Sequence, residues 1–146
     1  MAQTIGVRLS RFLLDTNVVS ELRKPRPHGG VLAWCRAADS ADLAIPALVL
    51  GELQLGAELT RKQDSAKAIA LEAWIERIAS TYQVVPMDGA CFREWARLIH
   101  RVSDTLREDA MIAAIARVHG LTVATRNEAD FKALAVPVVN PFRHSV

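Results

Sequence analysis

The sequence is poor in the features that would set it apart from ordinary globular chains. It has two cysteines, Cys35 and Cys91, with no CxxC pair between them, which excludes a disulfide framework and a cysteine-rich metal site. Each falls in an apolar helical pattern, where a reduced thiol behaves as a small hydrophobe, so both are expected to be structural. Long apolar runs are also missing. The opening MAQTIGVRLSRFLLD lacks the uninterrupted core of a secretory signal, and the most apolar stretch, Leu43 to Leu50, is short and contains Pro46, so no membrane span and a cytoplasmic location are expected. Nor is there an excess of charge: 18 Lys+Arg against 16 Asp+Glu leave +2. The bulk field is therefore only weakly attractive to polyanions, and nucleic-acid binding would have to come from local patches. No internal repeat, low-complexity tract or linker breaks the 146 residues, a length that supports one core, so a single domain over 1–146 is expected, with its core at about 12–142.

What is present is an alternation of short apolar runs with amphipathic segments. Phe12-Leu13-Leu14 stops at Asp15-Thr16-Asn17, residues that close turns and cap helices, which predicts a buried strand followed by a short helix over Val18 to Leu22. A basic loop follows at Arg23 to Gly30, held open by Pro25, Pro27 and two glycines. Val31 to Ala38 reads as a helix, Leu43-Ala44-Ile45 as a second buried strand, and Pro46 suits the first turn of a helix running to about Leu59. Ala66, Ala70, Trp74 and Ile78 mark one face of a long helix, and Val84-Val85-Pro86 a strand after it. From Asp88 to Ser103, Phe92, Ala96 and Ile99 form an apolar stripe opposite Arg93, Arg97 and Arg101. Glu108 to His119 is a helix ended by Gly120, Leu121 to Thr125 the clearest strand, Phe131 to Leu134 the end of a short helix, and Val136 to Val139 a final edge strand. The pattern predicts an α/β fold, a mostly parallel central sheet flanked by helices, with ligands collecting beyond the carboxyl ends of its strands.

That rim gathers the candidate chemistry. Asp15 and Thr125 end their strands, and Asn17, Asn127 and Asp130 follow them. Glu52 interrupts an otherwise apolar segment, where a carboxylate needs a cation or a proton if it is buried, or else faces solvent. Asp109 lies in a first helical turn, which an acid also suits through the helix dipole alone. Convergence of these acids would be untenable without positive charge among them, and a hard divalent cation, Mg²⁺ or Mn²⁺, is the natural candidate. Such a site activates water against a phosphodiester.

The order Leu14-Asp15-Thr16-Asn17-Val18-Val19-Ser20-Glu21, then Glu52-Leu53, then Asp109-Ala110-Met111-Ile112-Ala113-Ala114, then Thr125-Arg126-Asn127 with Asp130-Phe131 resembles the motifs of PIN-domain ribonucleases, specifically the VapC and FitB type of bacterial toxin. The match runs from about Phe12 to Phe142, and Val139-Asn140-Pro141-Phe142 resembles the end of FitB-type chains. The resemblance implies a three-layer PIN-like domain and a metal-dependent endoribonuclease whose ion is held by Asp15, Glu52 and Asp109. Asp130 and Asn127 would support catalysis, Thr16 and Thr125 would either meet substrate or serve as local caps, and Arg126, beside the acidic rim, would act on substrate or on the electrostatics of the metal site. It also implies an RNA substrate, a homodimer and a cognate antitoxin, with operator DNA reached only through that antitoxin. One departure stands out: Asn127 occupies the position where many members carry a fourth acid, which puts a second metal in question.

Other chemistries find little support. Neither GxxxxGK[ST] nor GxGxxG occurs, nor GxSxG or HExxH, and His28, His100, His119 and His144 are scattered as surface or capping residues. A phosphatase using Asp15 as nucleophile is a rival, weakened by Asn17 where a second Asp would stand and by the lack of an evident lysine partner. A non-catalytic subunit of a DNA-binding complex is another. Arg23, Lys24 and Arg26 in the loop, and the arginine stripe, are possible phosphate contacts but equally a solvated face. Trp34, Trp74 and Trp95 are expected in the core or a dimer contact.

Overall fold

The computed structural model describes residues 10–146. The reading that the opening segment carries no signal rests mostly on residues outside that range. Five strands form one sheet: β1 (Phe12–Leu14), β2 (Leu43–Pro46), β3 (Gln83–Val85), β4 (Thr122–Ala124) and β5 (Val138–Val139). Their order is β3-β2-β1-β4-β5 and every pairing is parallel, with Leu13 opposite both Ala44 and Val123. Seven α-helices connect them: α1 (Thr16–Glu21), α2 (Gly29–Ala37), α3 (Ala47–Arg61), α4 (Ser65–Thr81), α5 (Gly89–Ile99), α6 (Arg107–His119) and α7 (Glu128–Ala133). The chain leaves β1 toward β2 on one side and returns at β4 on the other, so β1 and β4 flank the point where the strand order reverses. Crevices form there, outside the carboxyl ends of the strands.

Parallel strands covered on both faces must be apolar throughout. Leu13, Leu14, Ala44, Ile45, Val123 and Ala124 are fully buried. α6 lies deepest, with five consecutive buried residues, Ile112 to Ala116, three of them alanines that let its backbone approach its neighbours closely. It stops at Gly120, whose φ of 68° is the left-handed conformation glycine adopts without penalty. A turn over Pro141–Arg143 docks on α2, where a Cβ on Gly30 would stand 2.9 Å from the His144 carbonyl oxygen. Here glycine is required by close approach rather than by backbone angle. Phe142 then sits between His28 (ring centroids 5.2 Å apart) and the Arg126 guanidinium (3.8 Å from its centroid).

Two predicted helix faces are corrected. On α4 the buried residues are Ala68, Ile75 and Ile78, whereas Ala66 and Ala70 are exposed. Strict spacing by four drifts about 40° per step on a helix of 3.6 residues per turn, so four such positions cannot share one face. On α5 the buried residues are Cys91 and Leu98 with Trp95 half-buried, while Phe92 and Ala96 face solvent. Packing against α6 selects the row that starts at the smaller Cys91, and Phe92 folds edge-on to Trp95 at 6.3 Å. Boundaries shift more modestly. α1 starts at Thr16, the Gly29–Gly30 pair opens α2 rather than ending the loop, α5 stops at Ile99, and Pro46 closes β2 as the residue preceding α3. Trp34 is buried edge-on to Phe12, as expected of a core residue. Both thiols are free, Cys91 buried and Cys35 partly so.

Candidate active site

Asp15 follows β1 at the reversal point, and its backbone N–H extends the parallel ladder by donating to the Ala124 carbonyl at 3.0 Å. Its carboxylate is 5 % exposed and accepts three hydrogen bonds. The Thr16 backbone N–H reaches Oδ1 at 2.7 Å, and the Thr125 hydroxyl (2.7 Å) and the Asn17 amide (3.1 Å) reach Oδ2. Burial lifts the Asp15 pKa above its ordinary value despite those three donors, each of which pulls it down. Charge is thus held where it is costly, in a fixed orientation.

A cavity of about 320 Å³ opens against this carboxylate, lined by Asp15, Thr16, Asn17, Glu52, Glu108, Asp109, Ile112 and Asn127. Four carboxylates therefore come from the end of β1, the second turn of α3 and the first turn of α6. Asp109 responds most: its pKa is pushed up to about 6, first by burial and then by the negative charges of Asp15, Asp130, Glu52 and Glu108. Glu52 is also raised, by burial first and then by Glu108 and Asp15, although the Thr16 hydroxyl donates to its Oε2 at 2.8 Å. The residue itself is exposed, so of the two readings left open for Glu52 the structure selects the one that faces solvent, at the mouth of the cavity.

The remaining predicted residues divide. Asn127 lines the cavity and caps α7 without a side-chain capping bond, leaving its amide uncommitted there. Asp130 does not line it. It lies in an adjoining cavity of about 430 Å³ with Arg126, Asn127, Lys132 and Arg143, close enough to act on Asp109 electrostatically. Of the two readings open for Thr125, substrate contact or local cap, its full burial selects the second. Its hydroxyl donates to Asp15 and accepts from the Asn127 backbone N–H at 2.9 Å, so it positions the acid and is closed to a ligand. Arg126 spreads over Phe142, and its backbone N–H donates to Asn17 Oδ1 at 3.2 Å. Sequence reasoning missed Glu108, read only as the start of a helix; its signal was adjacency to Asp109 in a first turn rich in acid. His28 caps α2 as expected, its Nδ1 accepting from the Gly30 N–H, whereas His119 is half-buried and its Nε2 has no partner among the described residues.

Among the described residues no three Asp, Glu, His or Cys side chains already close to the spacing of a ligand shell around one ion. The cavity is instead wide and lined with oxygen donors, without sulfur or imidazole. This donor set suits a hard cation such as Mg²⁺, which keeps several of its waters and binds through one or two carboxylates. Mutual repulsion among the acids means that any cation entering this space is attracted by all of them.

Comparison with known proteins agrees with the geometry. The sequence profile of the PIN domain matches residues 12–137. The chain is 33% identical over 137 residues to "Toxin FitB" of Neisseria gonorrhoeae, covering 90% of this chain and 98% of that one. It is 34% identical over 137 residues to "VapC ribonuclease Y4jK" of Sinorhizobium fredii, covering 90% and 97%. A solved structure of FitAB bound to a DNA fragment superposes with a TM-score of 0.82 at 30% identity, over 92% of this chain and 98% of that one. With its all-parallel sheet, its acid cavity at the strand reversal and this match over most of its length, the chain belongs to the PIN-domain family.

Proposed function

We propose that this protein is the toxin of a toxin–antitoxin pair, an endoribonuclease that hydrolyses RNA phosphodiesters with a divalent cation held by Asp15, Glu52 and Asp109. The observation that carries the reading is the meeting of Asp15, Glu52, Glu108 and Asp109 on one cavity with no cation of the chain's own lining it. The family membership, and relatives named as a toxin and a ribonuclease, support it. When bound, Mg²⁺ or Mn²⁺ would supply charge neutralisation at the phosphoryl oxygens and a more acidic water.

The chain's own residues supply the rest. Thr125 and Asn17 hold Asp15 in one orientation and offset part of the rise in its pKa that burial causes. Thr16 steadies Glu52 at the mouth, and Asp109, pushed up to about 6 by burial and the neighbouring acids, is the group whose protonation state responds most to a ligand. Asn127 adds an amide without charge, which favours a single ion over two, and Asp130 acts from the neighbouring cavity through its field. No lysine lines the cavity, and Asn17 stands where a phosphoaspartate route would need a second acid, which disfavours that route. A homodimer, a cognate antitoxin and contact with operator DNA through that antitoxin complete the proposal, in keeping with the DNA-bound FitAB structure.

Asp15→Asn and Asp109→Asn are each expected to abolish RNA cleavage, at least 100-fold, while leaving the far-UV circular dichroism of the chain intact. Full activity of either variant at saturating Mg²⁺ would overturn the assignment.

A further inference from the structure

A second cavity, about 330 Å³, lies between α1, α3 and α4 and shares Thr16 and Glu52 with the acid cavity. Its character is different. Arg23, just beyond α1, and Lys67, in the first turn of α4, both line it, Leu53, Leu71, Trp74 and Ile75 supply apolar wall, and Gly56 of α3 leaves space, since a Cβ there would meet nothing within 4 Å. Neither cation has an ion-pair partner among the described residues, although cations beside them do. Lys24 pairs with Glu21 at 2.8 Å, and Arg61 is bound by Glu58 and Glu72. Two unspent positive charges and a half-buried indole, opening directly onto a cluster of carboxylates, match a phosphate and a base rather than an aliphatic ligand. The volume falls at the lower end of the range of small-ligand sites.

We infer that this cavity is a nucleotide subsite of the RNA substrate, in which Arg23 and Lys67 hold a backbone phosphate next to the one cleaved and Trp74 receives a base. The inference rests on the ribonuclease reading and extends it to substrate positioning. Trp74 packs against the core as expected, and its remaining face lines this cavity. A phosphate gripped here leaves its neighbour in the chain over the acids, because Thr16 and Glu52 belong to both spaces. A protein segment is the competing occupant, and the observations favour RNA because the free charges are positive and beside an aromatic face.

The test measures binding of a randomised ten-nucleotide RNA pool to the full chain by fluorescence anisotropy in EDTA, across a salt series, alongside cleavage in Mg²⁺. Arg23→Gln and Lys67→Gln should each flatten the dependence of log K on log salt by about 0.7. Trp74→Leu and Gly56→Leu, the second filling the cavity from an open helical position, should weaken binding about tenfold and raise KM with little change in kcat. Trp74→Phe, which keeps an aromatic face, should recover most of the loss. Unchanged RNA affinity, salt dependence and KM in a chain that still cleaves RNA would overturn the subsite alone, and a loss of affinity confined to the antitoxin would reassign the cavity to a protein segment. Wild-type chain that neither binds nor cleaves RNA would instead remove the ribonuclease reading and this inference with it.

Discussion

At the scale of single residues, the candidate site depends on how Asp15 is held. A buried carboxylate is favoured only as far as donors satisfy it, and the Thr125 hydroxyl is the one donor to Asp15 from another strand. Thr125→Val keeps the volume and removes that bond, leaving Asp15 Oδ2 with Asn17 as its one remaining donor and the Asn127 N–H without its partner. The expected cost is about 1–3 kcal/mol in urea denaturation of the metal-free chain. Loss of a donor that lowers the Asp15 pKa should also move the acid limb of the cleavage profile to higher pH, and Thr125→Ser should restore it. An acid limb that stays put would show that this hydroxyl does not set the charge on Asp15. Asp15 and Thr125 were legible in the sequence because each follows a run too short and too apolar to be anything but a buried strand. The inward aim of the Thr125 hydroxyl was not, since a strand end has two faces and only the neighbouring β1 decides between them.

Among the elements, the strands and most helices were legible from period and punctuation, whereas the faces of α4 and α5 were not. On α4 several rows are comparably apolar and the partner helix chose the one to bury; on α5 the apolar residues already cluster on one face, and the row through Phe92 and Ala96 misses its centre at Cys91, Trp95 and Leu98. Trp74 was legible as a core-facing residue, but the cavity its other face lines exists only once α3 and α4 are paired. Glycine punctuation was more reliable. Gly120 ends α6 with a positive φ in open space, so its replacement is opposed by backbone strain alone. Gly120→Ala should cost about 1–2 kcal/mol, lowering Tm by about 2–4 °C for each kcal/mol. Cleavage should be unaffected at temperatures where the variant is folded, because the turn lies at the end of α6 remote from Asp109. A drop in kcat measured at 20 °C would contradict that separation.

For the molecule as a whole, the acid cavity makes stability depend on pH in the direction opposite to most proteins. The folded pKa of Asp109 is about 6, above its ordinary 3.8. The folded state therefore binds more protons than the unfolded one between these values, and stability falls as pH rises through them. Asp15 and Glu52 are shifted in the same direction. The acids held low by cations or by backbone donors, among them Glu21, Glu72 and Asp88, act at lower pH, where their contribution is lost as pH falls through their depressed values. In EDTA, Asp109→Asn should thus melt at the same temperature as wild type near pH 4 and at a higher one at pH 7. Adding Mg²⁺ at pH 7 should raise the wild-type Tm by more than that of the variant, by mass action on the folded form. Equal Tm values at both pH values, with and without the ion, would show that the repulsion is relieved in some other way.

The ring of Phe142 meets both the His28 imidazole and the Arg126 guanidinium, so the last turn ties the loop before α2 to the loop leading into α7, whose Asn127 lines the acid cavity. Exopeptidase trimming that reached this ring would unfasten both loops at once and free Glu128 from Arg143, while leaving Asp15, Glu52, Asp109 and every strand in place. Cleavage specificity would then loosen before the fold did, which makes the tail a dial on the enzyme, separate from its engine.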